Sequence, residues 1–336
     1  MLSVICPVFN EEKYITGCVE SILAQDYPKD DLEVLFVDGM STDKTRDIIG
    51  TYARQYQFIK LLDNPKRIVP YAMNEGIKAS QGEVIIRLDG HVEYPTNYFS
   101  ALVSHLKELD ADNVGAVCDT LPCGNSAKEL AIAEALSSSF GMGNSYFRIG
   151  CGEVRQVDTV PFGCFKREVF DKVGLYDVEL VRNQDDELNG RIIKNGGKIY
   201  LIPSVVTKYY ARDRISKVWK MFYQYGLYKP LVNKKLGSPA TIRQFFPVLF
   251  VSGLFVGAVL SCFCWIIAWL YVSVLILYLV LSLCFTAKSI RKTGNWALLL
   301  YQPLTYLAVH MSYGSGYLVG ICKILFHKSF SAECNR

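Results

Sequence analysis

The stretch Glu83–Tyr94, EVIIRLDGHVEY, is an apolar run that ends in a short acidic turn containing a glycine. Its residues 84–88 are typical of a buried strand. Ligands of open α/β sheets bind just beyond the carboxyl ends of strands, so we expect Asp89 and His91 to lie beside a ligand. A carboxylate and an imidazole this close together can hold a divalent cation that neutralises a diphosphate. An ordinary polar turn is the alternative interpretation, because Asp-Gly is among the commonest turn dipeptides.

Short apolar runs alternate with amphipathic segments on both sides of this stretch. The predicted strands are Ser3–Pro7, Glu33–Val37, Phe58–Leu62, Val114–Cys118, Thr159–Phe165 and Lys198–Ile202. The predicted helices begin at Asn10, at Ser41 or Thr42, and at Pro70, Pro95, Arg167 and Asn183. Such alternation predicts an α/β fold, with a mainly parallel sheet covered by helices on both faces.

Two further acidic sites occur at the ends of predicted elements. Asp38 follows the second strand directly, and the cluster Asn183–Glu187, NQDDE, opens a helix. Because the carboxyl ends of parallel strands meet at one edge of a sheet, Asp38 and Asp89 are expected to lie near each other. The acids at the helix start have a second interpretation, since carboxylates there also compensate the helix dipole.

The C-terminal part of the chain is apolar enough for a membrane. Residues 245–285 contain no Asp, Glu, Lys, Arg or His, and a run of about 40 uncharged residues is long enough for two spans of about 20 each. We predict spans over Phe245 to about Phe263 and over Trp265–Phe285. The basic residues Lys288, Arg291 and Lys292 follow, which predicts a cytoplasmic loop and hence a cytoplasmic N-terminal domain.

Three other segments carry weaker predictions. Residues 211–235 have the pattern of an amphipathic helix lying on a membrane surface. The apolar segment 295–326 is interrupted by polar residues, and it either spans the membrane or lies in the interface. Residues 137–152 are rich in small side chains and predict either a mobile loop over a site or an ordinary connection.

Composition limits the classes of partner and compartment. The 336 residues carry a net charge of +4 with a pI near 8.4 and no polybasic arm, which does not indicate nucleic-acid binding. The eleven cysteines are scattered without a CxxC pair, so we expect reduced thiols in a reducing compartment. The N-terminal MLSVICPVF lacks a basic region before its apolar run, and no signal peptide is expected.

Five motifs in order resemble the family 2 glycosyltransferases. They are PVFNE at 7–11, VDGMSTDKT at 37–45, the turn at 89–91, PFGCFKREVFDKVGLYD at 161–177 and NQDDEL at 183–188. The likeness covers about the first 230 residues, and with the membrane tail the chain is similar to membrane-anchored bacterial exopolysaccharide enzymes of the succinoglycan glucosyltransferase type. The resemblance implies a GT-A fold in a domain 1–235, followed by transmembrane helices within 245–286 and the segment 295–326.

Within that domain, the resemblance implies a nucleotide-sugar half at 1–110, an acceptor half at 111–210 and the interfacial helix at 211–235. It assigns the nucleotide base and ribose to Pro7, Phe9 and Glu11 together with Asp38. Arg67 is a further candidate for the same task.

The turn at 89–91 corresponds to the DxD motif of the family. The resemblance therefore places Asp89 and His91 on a metal ion beside the donor diphosphate. Imidazole nitrogen is a better ligand for Mn²⁺ than for Mg²⁺, and His91 stands where the motif has a second aspartate, so we predict a preference for Mn²⁺.

Asp185 corresponds to the general base of the family's ED motif. The usual glutamate before it is replaced by Gln184, which leaves Asp186 as a second candidate for the base.

The function implied is an inverting transfer of a sugar from a nucleotide-diphosphate donor to a saccharide linked to polyprenyl diphosphate. The expected location is the inner membrane, with a multi-pass tail and the catalytic domain in the cytoplasm. The expected partners are the nucleotide-diphosphate sugar, the polyprenyl-diphosphate-linked saccharide and the lipid bilayer, and no nucleic acid is expected. Two alternatives stay open: an inactive membrane scaffold of the same fold, and a processive synthase. A processive synthase needs more membrane spans than these. It also typically carries a QxxRW motif, and in this chain no Arg-Trp follows Gln224.

Overall fold

One sheet of eight strands organises the N-terminal part of the chain. Its strands in chain order are β1 (Leu2–Val8), β2 (Leu32–Asp38), β3 (Ile59–Asp63), β4 (Val84–Arg87), β5 (Asn113–Leu121), β6 (Arg155–Gln156), β7 (Cys164–Lys166) and β8 (Ile199–Tyr210). Their spatial order is β3-β2-β1-β4-β7-β5-β8-β6. The strands β3, β2, β1 and β4 run parallel, whereas β7 is antiparallel to β4 and β5, and β6 is antiparallel to β8.

The structure is a computed structural model that describes residues 1–239 and 241–330. Its helices are α1 (Ile15–Leu23), α2 (Thr45–Gln55), α3 (Val69–Ala79), α4 (Tyr98–Glu108), α5 (Ala127–Leu136), α6 (Ser139–Met142), α7 (Tyr146–Ile149), α8 (Glu168–Val173), α9 (Gln184–Lys194), α10 (Ile215–Leu236), α11 (Phe245–Ser261), α12 (Trp265–Thr293) and α13 (Leu298–Leu325). The chain divides into unit 1, Met1–Asp119 with Gly150–Tyr209, and unit 2, Thr120–Ile149 with the chain from Tyr210 onwards.

The core of unit 1 explains the apolar runs of the sequence. Every residue of β2 is buried, and β1 is buried except for its half-buried Pro7. Strands of a parallel sheet read as continuous apolar runs when helices cover both faces, because neither face meets water. The predicted α/β fold with a mainly parallel sheet is confirmed.

The strand order also determines where a ligand fits. From β1 the chain builds β2 and β3 on one side and then places β4 on the other side. This reversal separates the connections that leave the carboxyl ends of β1 and β4, and such a switch point opens a crevice there. Asp38 and Asp89 both lie at that edge.

Several predicted element boundaries differ from the observed ones. The first helix begins at Ile15 rather than near Asn10, since Asn10 has a left-handed backbone with φ 54° and the next residues form turns. The predicted strand 159–165 is reduced to β7, because Phe162 is also left-handed, with φ 50°. The strand predicted at 198–202 continues to Tyr210 as β8.

Unit 2 contains the predicted membrane segments. Two helical stretches, Ile242–Ser261 and Trp265–Thr293, are long and apolar enough to cross a membrane. The segment predicted at 295–326 is one continuous helix, α13, in spite of Pro303 and its Gly-Ser-Gly. Helix α10, predicted to lie on a membrane surface, packs along α13 and buries Val218, Tyr228 and Val232 completely; its contact with a membrane stays a prediction.

Glycines on α10 and α13 allow these two helices to pack closely against each other. A Cβ built on Gly316 would lie 2.2 Å from the Tyr223 carbonyl oxygen of α10, and one on Gly226 of α10 would lie 2.1 Å from the Tyr313 carbonyl oxygen. Small residues at such crossings let two helix backbones approach closely. Here glycine is required by the close approach itself.

The division into units differs from the predicted domain plan. Residues 120–149 belong with the C-terminal helices, and unit 1 ends at Tyr209 rather than at 235. The segment 137–152 forms the short helices α6 and α7 instead of an open loop. Phe140 of α6 packs edge-on against Tyr306 and His310 of α13, at ring-centre distances of 4.9 and 5.3 Å, which anchors α6 within unit 2.

Candidate active site

Asp38 lies buried at the carboxyl end of β2, where the nucleotide site is predicted. It is the last residue of β2, it is paired in register with Val8 of β1, and its side chain is fully buried. Its carboxylate accepts hydrogen bonds from the backbone N–H and the hydroxyl of Ser41, and it pairs with Arg46 at 2.6 Å. A buried carboxylate is stable only when paired in this way.

Arg46 extends this pairing to the next strand, because its second nitrogen contacts Asp63 at the end of β3 over 2.7 Å. These hydrogen bonds, first of all the one to Asp38, raise the pKa of Arg46, so it stays charged. One cation thus ties together the carboxyl ends of β2 and β3.

The loops after β1 and β2 hold each other. The Asn10 N–H donates to the Ser41 hydroxyl at 2.8 Å, and the Asn10 side-chain oxygen accepts from the Thr42 N–H at 2.9 Å. The Glu11 N–H donates to the Thr45 hydroxyl at 2.7 Å. This reciprocal bonding explains why the motifs at 7–11 and 37–45 occur together, although the sequence shows only that they share a chain.

The structure brings Phe9 onto the Asp38 side of the crevice. A Cβ on Gly39 would meet the Phe9 ring at 3.2 Å, so the aromatic ring lies directly on that backbone. Pro7 is half-buried at the end of β1. Arg67 is exposed just after a turn, with a left-handed backbone at φ 62°, and it makes no hydrogen bond or ion pair with Asp38.

The turn after β4 carries Asp89, Gly90 and His91. The Asp89 N–H donates to the Tyr94 hydroxyl at 2.8 Å, which closes the turn. Gly90 packs so near β1 that a Cβ would lie 3.2 Å from Val8 and 3.6 Å from the Glu11 side chain. The His91 ring nitrogen Nδ1 lies 3.9 Å from a carboxylate oxygen of Glu11. Glu11 thus lies beside the predicted metal site.

Arg87 links this turn to the acidic helix α9. It is the last residue of β4, and only 5% of it is exposed. One of its terminal nitrogens pairs with Asp185 and the other with Asp89 at 3.4 Å. Both pairings, with burial opposing them, raise the pKa of Arg87, so it remains a cation.

Asp185 therefore has a mixed environment. Burial raises its pKa, and the carboxylates of Asp89 and Asp186 act in the same direction, whereas Arg87 opposes the rise. Its side chain keeps 31% exposure, so a substrate can reach it. It lies in the first turn of α9, which follows Asn183 in a left-handed conformation with φ 60°. Asp186 is half-buried beside it.

The chemistry of the turn fits a divalent cation. Within residues 1–239 and 241–330, no group of three or more His, Cys, Asp or Glu side chains is arranged to hold a metal. Asp89 and His91 could supply one oxygen and one nitrogen ligand from one turn, since their side chains are 23% and 21% exposed. Two protein ligands with access from outside suit an ion that completes its shell with diphosphate oxygens and water.

Sequence reasoning missed Arg46 and Arg87. A signal existed for Arg87, since an arginine inside the apolar run EVIIRLDG is a charge in a buried strand, which needs a partner. Arg46 lies in a polar stretch at the start of a predicted helix, where an arginine is expected to be exposed, so no such signal exists for it.

Comparisons with known proteins agree with this geometry. The family model described as glycosyl transferase family 2 matches residues 3–174. A protein of Methanococcus voltae named dolichyl N-acetyl-alpha-D-glucosaminyl phosphate 3-beta-D-2,3-diacetamido-2,3-dideoxy-beta-D-glucuronosyltransferase is 33% identical over 242 residues, which cover 70% of this chain and 74% of that protein. Succinoglycan biosynthesis protein ExoA of Rhizobium meliloti (strain 1021) is 28% identical over 98% of this chain and 92% of its own.

Solved structures share the fold. The mannosyltransferase PcManGT of Pyrobaculum calidifontis, in complex with GDP-Man and Mn²⁺, superposes with a TM-score of 0.60 at 20% identity, over 98% of this chain and 88% of that one. Residues 1–349 of TarS of S. aureus, in complex with UDP-GlcNAc, give a TM-score of 0.53 at 15% identity, over 98% and 93%.

Proposed function

This chain belongs to glycosyl transferase family 2 and has the GT-A fold, and from that premise we propose that it moves a sugar, with inversion, from a nucleotide-diphosphate donor to a lipid-linked saccharide. The observation that carries the proposal is the pairing of Arg87 with both Asp89 and Asp185. It brings the donor-side turn and a carboxylate suited to act as base into one crevice of unit 1.

The reaction is a single displacement. The acceptor hydroxyl attacks the anomeric carbon, its proton passes to the Asp185 carboxylate, and the bond to the nucleoside diphosphate breaks. The loops at 7–11 and 38–46 hold the nucleotide, with Asp38 and Phe9 on its side of the crevice. Asp89 and His91 would hold the divalent cation, which when bound neutralises the leaving diphosphate.

The acceptor and the membrane location rest on unit 2. It carries 16 Lys and Arg residues against 4 Asp and Glu, whereas unit 1 carries 20 against 28. Positive charge beside the apolar helices α11 and α12 favours an anionic membrane face. The names of the two relatives refer to a dolichyl phosphate sugar and to succinoglycan biosynthesis, which supports a lipid-linked acceptor and a place in surface polysaccharide assembly. The two apolar helical stretches and the basic residues that follow the second one support a multi-pass position in the inner membrane, with unit 1 in the cytoplasm.

The two alternatives receive less support. An inactive scaffold has no need of three acids, Asp38, Asp89 and Asp185, at the ends of three separate elements. A processive synthase would need enough spans to form a channel. The described residues contain two helical stretches that meet the length and apolarity of a span, and two are few for a channel.

The proposal is tested by release of nucleoside diphosphate from a panel of UDP-, GDP- and dTDP-sugars. The full chain in membranes is assayed with Mn²⁺, and again with chelator, in the presence of a polyprenyl-linked saccharide extract. We expect release with one donor and loss of release on chelation. No release with any donor would overturn the proposal in favour of the scaffold.

His91 is expected to set the choice of metal. We predict higher activity with Mn²⁺ than with Mg²⁺ at equal concentrations, because imidazole nitrogen is a poorer ligand for the harder ion. His91→Asp replaces that nitrogen with oxygen and should lower the ratio of Mn²⁺-supported to Mg²⁺-supported activity by about tenfold. His105→Ala, on α4, is the matched control and should leave the ratio unchanged. A wild-type protein that prefers Mg²⁺ would disprove the assignment.

A further inference from the structure

Arg87 is the one residue of β4 that places a charge inside the buried part of that strand, VIIR. Its position in the sheet is fixed, because it pairs in register with Ile5 of β1 and its backbone N–H donates to the Gly163 carbonyl at 3.0 Å. Its guanidinium is 6% exposed and lies between two carboxylates, those of Asp89 and Asp185.

The two contacts are made with different nitrogens. Nη1 donates to Oδ1 of Asp185, and Nη2 donates to Oδ1 of Asp89 at 3.4 Å. Within the described chain, Oδ2 of Asp185 accepts no hydrogen bond, while the side chain remains 31% exposed. One oxygen of the predicted base is thus fixed, and the other is available to a substrate.

We propose that Arg87 is a positioning residue of the sugar transfer: it fixes the Asp185 carboxylate so that Oδ2 meets the acceptor hydroxyl, at a constant distance from the donor-side turn of Asp89. This inference rests on the proposed function and deepens it. In the reaction Oδ2 gains the proton of the attacking hydroxyl, while Arg87 neither gains nor loses one. Arg87 also favours Asp185 over Asp186 as the base, since the structure shows it paired with Asp185.

The planar shape of arginine matters for this role. Its two terminal nitrogens point at fixed angles, so a single side chain can orient two carboxylates at once. Lysine offers one point charge on a flexible stem and can satisfy the charge but not the geometry. Arg87→Lys should therefore keep the fold and lose turnover, by about 10- to 100-fold, with the donor KM within about twofold of wild type.

A double-mutant cycle on kcat tests whether Arg87 acts through Asp185. Arg87→Met, Asp185→Asn and the double variant are compared in the full-length protein under saturating donor and acceptor. Residues that work as a unit give non-additive losses. We expect the double variant to be no slower than Asp185→Asn alone, within about threefold. The parallel cycle of Arg87→Met with Asp186→Asn should instead give losses that multiply.

Controls separate positioning from folding. Arg167→Lys is the matched control, because Arg167 bonds to backbone carbonyls and the Ser80 hydroxyl rather than to the acids of the site; its kcat per folded molecule should equal that of wild type. If Arg87→Met does not fold, Arg87→Lys takes its place in both cycles. Losses that multiply in the Asp185 cycle, in an active wild type, overturn this inference alone. A wild type that releases no nucleotide from any donor overturns the proposed function and this inference with it.

Discussion

Replacing Asp185 by Asn is expected to lower turnover by about 10³-fold while leaving nucleotide binding intact, because general-base catalysis contributes about 10²- to 10⁴-fold. The amide has nearly the shape of the carboxylate and can still accept a hydrogen bond from Arg87. It cannot take the proton of the acceptor hydroxyl. The loss should therefore appear in kcat, measured as nucleoside diphosphate release, and not in the donor KM.

Asp186→Asn is the matched control, since it removes the neighbouring charge on the same helical turn. We expect its kcat to stay within about tenfold of wild type. Full turnover by Asp185→Asn, together with a large loss in Asp186→Asn, would transfer the role of base to Asp186. Equal and large losses in both would show that the pair acts together.

The same assignment predicts the acid limb of the pH profile. Burial raises the pKa of Asp185, the carboxylates of Asp89 and Asp186 reinforce the rise, and Arg87 opposes it; Tyr176 nearby stays neutral, because burial raises the pKa of its phenol. The base works only as a carboxylate, so activity is full above this pKa and is lost as the pH falls through it. The half-point of kcat should lie above about 3.9, the value for an ordinary aspartate. A half-point at or below that value would contradict the assignment.

Gly316→Ala is expected to destabilise unit 2 by about 2 to 3 kcal/mol, the upper part of the range for overfilling a packed interior. The added Cβ would meet the Tyr223 carbonyl oxygen at 2.2 Å and the Leu227 nitrogen at 3.1 Å. Both are backbone atoms of α10, which cannot turn aside as a flexible side chain could. The two helices must separate, and thermal unfolding of the purified full chain in detergent should shift down by about 5 to 10 °C.

Gly253→Ala serves as the control for this change, because Gly253 lies on α11 and a Cβ there meets nothing within 4 Å. Alanine favours a helix over glycine by about 1 kcal/mol, so the unfolding temperature should stay equal or rise. If both substitutions had the same effect, the close approach of α10 and α13 would not be the reason for glycine at position 316.

The pattern of the sequence was sufficient for the features that depend on neighbouring residues. The buried runs at 32–38 and 84–88 indicated parallel strands, since a strand covered on both faces must be apolar throughout. The uncharged run at 245–285 indicated the two long apolar helices, because a membrane span must avoid charge along its whole length. The turns at 89–91 and the cluster at 183–187 could be recognised as candidate sites because they end or begin such elements.

What joins those sites was decided by the tertiary structure alone. Arg87 and Asp185 are 98 positions apart in the chain, and Arg46 reaches Asp63 only because β2 and β3 are neighbours in register. The assignment of residues 120–149 to the C-terminal helices, and the glycines that let α10 touch α13, depend in the same way on which elements become neighbours. Periodicity reports which side of an element is buried, whereas the identity of the partner depends on strand order and helix packing, which no local pattern encodes.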